Sequence, residues 1–402
     1  MRNSQRPLIL VFAGLSAGVF ACGTDSTTTF PVTGDAGTGG VDGNASGGDT
    51  AGPDDAGGGG DDAGSTGAVC DPSQADLDPA IRSVVYTDTD TSDRSFWDSA
   101  YTVDTPVGGL GVSLIGPDGV VRDAVTCDDG SFAFGGLADG VYVTDIDWPD
   151  GTFCTTRNCT RRFPEAVRSG RVKIVTLGDS VPVQGAPVTF PARLAELLAP
   201  VAEVENLNIA MGGTVSTDWT PGTSNFDNRL APHIESADVI IVSIGGNDFL
   251  NYANGAYSNP ADAIAGFPDF VREVMERVLW VKDEVRFRNP DVDLVYLLYP
   301  DYSQSAMWEE QFRVAIDIIR GLVADALEQV LDEMAYDEDV IVVDFYGYFR
   351  EHELSLDPYL FDMLHFNDPG QDIYTEQIFL ALGGVRVGAD PVGMETHFGL
   401  TP

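Results

Sequence analysis

The sequence predicts a three-layer α/β/α fold on a parallel sheet, preceded by a small all-β sandwich. Three observations carry this. Five short Val/Ile/Leu-rich runs recur between residues 172 and 345, with helical spacing between the later ones, the pattern of parallel strands covered on both faces. Residues 70–165 instead hold short runs between closely spaced turn signals, as in an antiparallel sandwich. Residues 22–69 are mostly Gly, Asp, Ala, Thr and Ser, with Phe30 the only aromatic; such a segment buries too little apolar surface to offset its chain entropy and is expected to be a disordered tether.

The 402 residues exceed what one ordinary domain needs. The predicted division is 1–21, 22–69, 70–165 and 166–402. The formal net charge of −41 repels phosphate backbones and bare anionic lipid, so nucleic-acid binding is excluded and membrane contact is expected only through an N-terminal lipid. The chain is expected to be a monomer.

Residues 1–21 carry Arg2 and Arg6 ahead of a short apolar stretch, Pro7 to Ala21, which describes an export signal. The stretch is too short and too broken by Gly and Ala to span a membrane comfortably. It ends Val19-Phe20-Ala21-Cys22. These four residues resemble the bacterial lipobox, with Phe20 bulkier than usual. The resemblance implies cleavage before Cys22 and diacylglyceryl attachment to its sulfur, giving an exported envelope lipoprotein that faces the periplasm or the cell surface. The alternative is ordinary secretion with Cys22 lost or disulfide-bonded. Gly23 rather than Asp follows, so there is no inner-membrane retention signal of the enteric kind.

In residues 70–165, strands are expected at 84–86, 109–115, 120–122, 131–134 and 141–143, with turns at Gly116-Pro117-Asp118-Gly119, Asp128-Asp129-Gly130 and Asp139-Gly140. The order Gly111-Val112-Ser113-Leu114, Asp118-Gly119, Asp129-Gly130-Ser131-Phe132-Ala133-Phe134 and Leu137 to Tyr142 resembles Cna-B, SdrD-B and carboxypeptidase-regulatory modules. That resemblance implies a spacer or binding module without catalysis. Asp88 to Asp93 is acidic but lacks the glycine that a calcium loop needs at its turn. Cys70, Cys127, Cys154 and Cys159 allow three pairings; Cys154 and Cys159 are close enough for a local loop, which leaves Cys70 with Cys127 as one candidate.

From residue 166 the strands are expected at 172–177, 204–210, 238–244, 293–299 and 339–345. Helices are expected at 190–198, 261–287, 308–336 and 370–382. The first strand ends in Gly178-Asp179-Ser180. In an open parallel sheet, ligands bind at the carboxyl ends of the strands. Met211-Gly212-Gly213-Thr214 follows the second strand, Gly245-Gly246-Asn247-Asp248 the third, and Asp362-Met363-Leu364-His365 lies before the last helix. All can converge on one sheet edge.

Gly-Asp-Ser, the glycine after strand two, Gly-Gly-Asn-Asp and Asp-x-x-His are similar to the four blocks of the SGNH (GDSL) hydrolase family, in that family's order. Val181 stands where the family often has leucine. The resemblance implies a flavodoxin-like sheet and a serine esterase; no cofactor is expected, and with no Cys and no clustered His in this half, no metal. Ser180 is then the nucleophile, His365 its base and Asp362 the residue that orients His365. The Ser180 and Gly212 backbone N–H groups and the Asn247 side chain form the oxyanion hole. A serine hydroxyl needs such a base, and some family members work nearly as a dyad, so Asp362 is expected to matter less than His365. Asp179 and Asp248 read as structural carboxylates, and His233, His352 and His397 as bystanders. Gly178-Asp179-Ser180-Val181-Pro182 does not have the Gly-x-Ser-x-Gly form of the α/β-hydrolase elbow.

The expected substrate is an O-acyl ester, short-chain or O-acetyl on a carbohydrate, with acetylated polysaccharide as a candidate. Loops at 213–232, 249–262 and 301–309 carry Trp219, Phe226, Tyr252, Tyr302 and Trp308, which serve either a ligand or loop packing. Lipid ester hydrolysis, thioester hydrolysis and acyl transfer are the alternatives within the family. A non-catalytic surface binding protein is the alternative of another class.

Overall fold

The computed structural model describes residues 27–29, 70–77, 80–87, 105–147, 160–258, 260–335 and 340–388. The signal segment, Cys22, the acidic stretch 88–93, Cys154, Cys159 and His397 lie outside the described residues.

Strand β1 (Thr27–Thr29) pairs in parallel with β2 (Ala80–Thr87). These three residues lie within the segment 22–69 expected to be a tether. Three consecutive β-branched threonines favour extended backbone, and the edge of β2 offers unpaired backbone groups.

The antiparallel part continues with β3 (Thr105–Pro106), β4 (Gly111–Ile115), β5 (Val121–Val125), β6 (Ser131–Gly135) and β7 (Gly140–Ile146). The β2 strand pairs with β3 and β6, while β4 pairs with β5 and β7. Ile81, Val112, Leu114, Phe132, Phe134 and Tyr142 fill the space between the two sheets. A disulfide joins Cys70 to Cys127, with Cα atoms 5.0 Å apart, as in the candidate pairing.

Helix α1 (Arg162–Arg168) leads into the parallel sheet. Its strands and helices are β8 (Arg171–Gly178), α2 (Phe190–Leu198), β9 (Glu203–Asn208), α3 (Ala231–Ile234), β10 (Val239–Ser243), α4 (Gly246–Ser258), α5 (Pro260–Arg288) and β11 (Asp293–Leu298). They continue with α6 (Ala306–Gln311), α7 (Ile316–Ala335), β12 (Ile341–Asp344), α8 (Phe345–Glu351) and α9 (Asp368–Ala381). The sheet order is β12-β11-β10-β8-β9, all parallel. This is the doubly wound flavodoxin-like order, whose switch point lies between β8 and β10. The strands β10, β11 and β12 are buried along their whole length, which is why they read as continuous apolar runs. On α2, Phe190, Leu194 and Leu198 form the buried stripe, spaced one turn apart.

Three expectations change. The segment 249–258, read as a loop, is the body of α4. Its Asn and Gly content hides the pattern, but Phe249 and Tyr252 pack against Phe267 and Phe270 of α5, with Tyr252 and Phe270 stacked at 4.2 Å. The stretch 308–336 is two helices rather than one, because Phe312 turns inward against Trp308 and leaves helical backbone. Finally, β13 (Gly384–Val387) does not extend the parallel sheet. It pairs antiparallel with β7 and places Val385 and Val387 in the sandwich core. The end of the 166–402 segment therefore completes the module formed by residues 70–165.

Asp293 clamps this junction. Its carboxylate accepts from Arg161 N–H at 3.0 Å and Phe163 N–H at 2.7 Å, at the start of α1. Asp293→Ala is expected to cost about 2–4 kcal/mol, because it leaves two donors without an acceptor. Chemical denaturation of the full chain measures this, and a loss under about 1 kcal/mol would remove Asp293 as the clamp. Burial pushes the Asp293 carboxyl up to about 6, against the lowering effect of these hydrogen bonds. The folded chain thus keeps this proton to higher pH than the unfolded chain. The stability linked to this proton is full below the ordinary carboxylate range and is lost as pH rises through about 6. Asp293→Asn should flatten that part of the melting-temperature profile.

Candidate active site

The site lies at the carboxyl ends of β8 and β10, beside the switch point. Gly178 ends β8 at φ +141, and a Cβ there would fall 2.0 Å from the Ser243 carbonyl oxygen; only glycine allows this approach. The chain then turns, with Asp179 N–H donating to Ser243 O and Val183 N–H to Ser180 O. Ser180 is thereby presented at the sheet edge, 7 % exposed.

Asp179 is buried beneath it and accepts from Val181 N–H at 3.0 Å and from the Tyr299 hydroxyl at 2.8 Å. The Tyr299 hydroxyl also lies 3.1 Å from Ser243 Oγ. Burial pushes the Asp179 carboxyl up to about 6, although both hydrogen bonds and the nearby His365 act to lower it. Asp179 is a structural carboxylate, as expected. Its tie to Tyr299, directly after β11, had no signal in the sequence.

His365 reaches the site from the segment before α9. A short bridge between Leu360 and Phe366 closes that segment, and Phe361 N–H donates to His365 O at 2.7 Å. The Asp362 carboxylate accepts from Leu364 N–H at 3.0 Å and His365 N–H at 2.9 Å, so it caps its own turn. The same carboxylate meets His365 Nδ1 at 2.8 and 2.9 Å. On the opposite side of the ring, Nε2 lies 2.7 Å from Ser180 Oγ. Gly185 backs this loop at φ +98, where a Cβ would fall 2.9 Å from His365 Cβ. Burial raises the Asp362 carboxyl, but the His365 ring and the two N–H donors outweigh it and hold it below the ordinary range. The His365 side chain is 12 % exposed and that of Asp362 45 %, so solvent screens the pair from the carboxylate side.

The block after β9 is sewn to the block after β8. Met211 N–H and Thr214 Oγ1 both donate to Gly178 O. Of the two glycines, Gly212 is the one against Ser180: a Cβ on it would lie 3.6 Å from Ser180 Cβ, whereas one on Gly213 would meet open space. Asn247, in the first turn of α4, donates through Nδ2 to Thr214 O at 3.0 Å, which leaves its second N–H for a ligand. Among the described residues, the Ser180 and Gly212 backbone N–H groups have no acceptor. Asp248 accepts from Ser216 N–H and Oγ, both at 2.7 Å, and anchors the same loop; burial raises its carboxyl.

The structure thus brings together Ser180, Gly212, Asn247, Asp362 and His365. Of the five loop aromatics it leaves only Tyr252 half-buried, stacked on Phe270. Trp219, Phe226, Tyr302 and Trp308 are buried, and the two indole N–H groups donate to Thr214 Oγ1 and Met363 O. One residue that the sequence gave no reason to choose is Gln184, exposed over the site with its Nε2 2.6 Å from the position of a Gly212 Cβ.

Residues 176–373 match the model of the GDSL-like lipase/acylhydrolase family. This segment is a domain of that family. The GDSL domain makes the chain a serine ester hydrolase. Its similarity to solved structures spans about half of the chain. A phospholipase A1 from Streptomyces albidoflavus is 21% identical over 52% of this chain and 98% of its own, with a TM-score of 0.39. A lipase from a goat rumen metagenome is 19% identical over 52% and 97%, with a TM-score of 0.43. A catalytic mutant of an acetylxylan esterase from Geobacillus stearothermophilus is 17% identical over 55% and 97%, with a TM-score of 0.38. No curated protein matches the chain.

Proposed function

We propose that the GDSL domain hydrolyses an O-acyl ester through an acyl-enzyme on Ser180. The observation that carries this is the continuous relay from Ser180 Oγ to His365 Nε2 and from His365 Nδ1 to Asp362, at 2.7 and 2.8 Å. His365 takes the hydroxyl proton as Ser180 Oγ attacks the ester carbonyl, then gives it to the departing alcohol. Water attacks the acyl-enzyme by the same route and releases the acid. Asp362 fixes the ring so that Nε2 faces Ser180. Its half-exposed carboxylate suits a smaller role than that of His365. The Ser180 and Gly212 N–H groups and the second Asn247 N–H receive the oxyanion.

In this reading the acyl group is short, including O-acetyl. On the alcohol side, the buried Trp219, Phe226, Tyr302 and Trp308 provide no stacking face for a sugar, while Phe361, beside Asp362, is exposed, so a polysaccharide substrate rests on the expected envelope location and on that one exposed ring. In the same reading the enzyme works outside the cytoplasm, held to a membrane by lipid on Cys22; residues 1–22 support this part. The test is p-nitrophenyl acetate hydrolysis by the full chain and by Ser180→Ala. Equal slow rates would favour a binding protein instead.

A further inference from the structure

Ser180 and His365 stand on two irregular segments, the turn after β8 and the stretch before α9, and their 2.7 Å contact joins residues 185 apart in sequence. The two segments run against each other at Gly185, where a Cβ would fall 2.2 Å from Phe366 O. One side chain ties them. Gln371, in the first turn of α9, is fully buried. Its Nε2 donates to Gln184 O and to Phe366 O, both at 3.3 Å. Its Oε1 accepts from Phe190 N–H at 2.8 Å. Phe190 opens α2, so this N–H has no partner inside its own helix. A buried amide is tolerated only when its polar atoms are paired, and here Oε1 and both Nε2 protons are used. A flipped amide would set Oε1 against two carbonyls and Nε2 against a donor, so one orientation alone satisfies the three contacts.

We propose that Gln371 is a positioning residue for the reaction, holding the Ser180 and His365 segments at the separation that lets the two side chains meet. The inference rests on the serine esterase reading and adds the device that sets its geometry. Gln371 acts through the two backbones it holds. Gln184 lies four residues after Ser180, and Phe366 follows His365 directly, so a shift of either carbonyl is passed to the reacting side chain beside it. Proton transfer needs Oγ and Nε2 within hydrogen-bond reach, and a misplacement of about 1 Å costs about 100-fold in rate. The helices themselves are joined by other contacts. Arg193 of α2 pairs with Asp368 and Asp372 of α9, and Phe190 stacks on Tyr374 at 5.6 Å. Loss of the Gln371 amide therefore leaves α2 on α9 and loosens the two segments that carry the chemistry.

The test compares Gln371→Met with the parent, both as full chains, on p-nitrophenyl acetate. kcat is expected to fall about 10- to 100-fold with KM within about twofold of the parent. The rate of Ser180 phosphorylation by diethyl p-nitrophenyl phosphate should fall by a similar factor, because it needs the same serine–histidine pair. Gln371→Glu keeps the acceptor for Phe190 N–H but sets an oxygen against the two carbonyls. It should behave alike, and it takes over if Gln371→Met fails to fold by circular dichroism. Asp372→Ala removes an Arg193 contact between the same two helices, and its kcat should stay within about twofold of the parent. A Gln371 variant that melts earlier yet keeps its kcat below the transition overturns the positioning role. So does an equal kcat loss in Asp372→Ala, or failure of both Gln371 variants to fold, which would make the residue a requirement of the fold alone. Absence of hydrolysis by the parent overturns the esterase reading, and this proposal with it.

Discussion

Ser180→Ala is expected to lower kcat for ester hydrolysis about 10⁴- to 10⁶-fold while leaving the melting temperature within about 2 °C of the parent. The two halves of this expectation have separate causes. The Ser180 hydroxyl makes one side-chain hydrogen bond, to His365, so its loss removes little from the fold; the turn around it is held by backbone bonds and by Asp179. The reaction loses the atom that carries the acyl group. His365→Ala should cost a similar factor, because a serine hydroxyl without a base is a weak nucleophile. The double variant should be scarcely slower than either single one, since the pair acts as a unit. Steady-state kinetics on one ester for all three variants checks this. Losses that multiply would mean that Ser180 and His365 act independently.

Asn247→Ala is expected to lower kcat about 10²- to 10³-fold with little change in KM. The Asn247 amide is already aimed by its bond to Thr214 O, and the loop bearing Thr214 is fixed by Asp248 through Ser216. A donor held this way strengthens its bond as charge develops on the ester oxygen, so it acts on the transition state more than on substrate binding. A change confined to KM would assign Asn247 to substrate binding and remove it from the oxyanion hole.

The parts legible in the sequence share a physical reason. Strands buried on both faces must be apolar throughout, so 172–177 and 238–244 could be placed from residue type alone. Asp362 and His365 sit three residues apart on one turn, so local order already implied their meeting, and Ser180 follows directly on a buried strand, which placed it at the sheet edge; that His365 reaches it across 185 residues came from the family resemblance. What the sequence concealed depends on contacts between distant segments. The hydrogen bond from Tyr299 to Asp179 joins residues 120 apart in sequence. The run Val385-Arg386-Val387 reads as a short strand anywhere, and only the open edge of β7 decides that it joins the sandwich. Asn and Gly in α4 masked a helix that is held by aromatic packing rather than by propensity. The aromatics Trp219 and Trp308 could serve a ligand or the core, and their indole bonds to Thr214 and Met363 assign them to the core.

The central claim is that Ser180 carries the acyl group during turnover. Reaction of the full chain with diethyl p-nitrophenyl phosphate, followed by peptide mass spectrometry, tests it directly. One diethylphosphoryl group is expected, on the peptide containing Ser180, with ester hydrolysis lost in proportion to labelling. Full labelling of Ser180 with hydrolysis intact, or inactivation with the label on another residue, would contradict it.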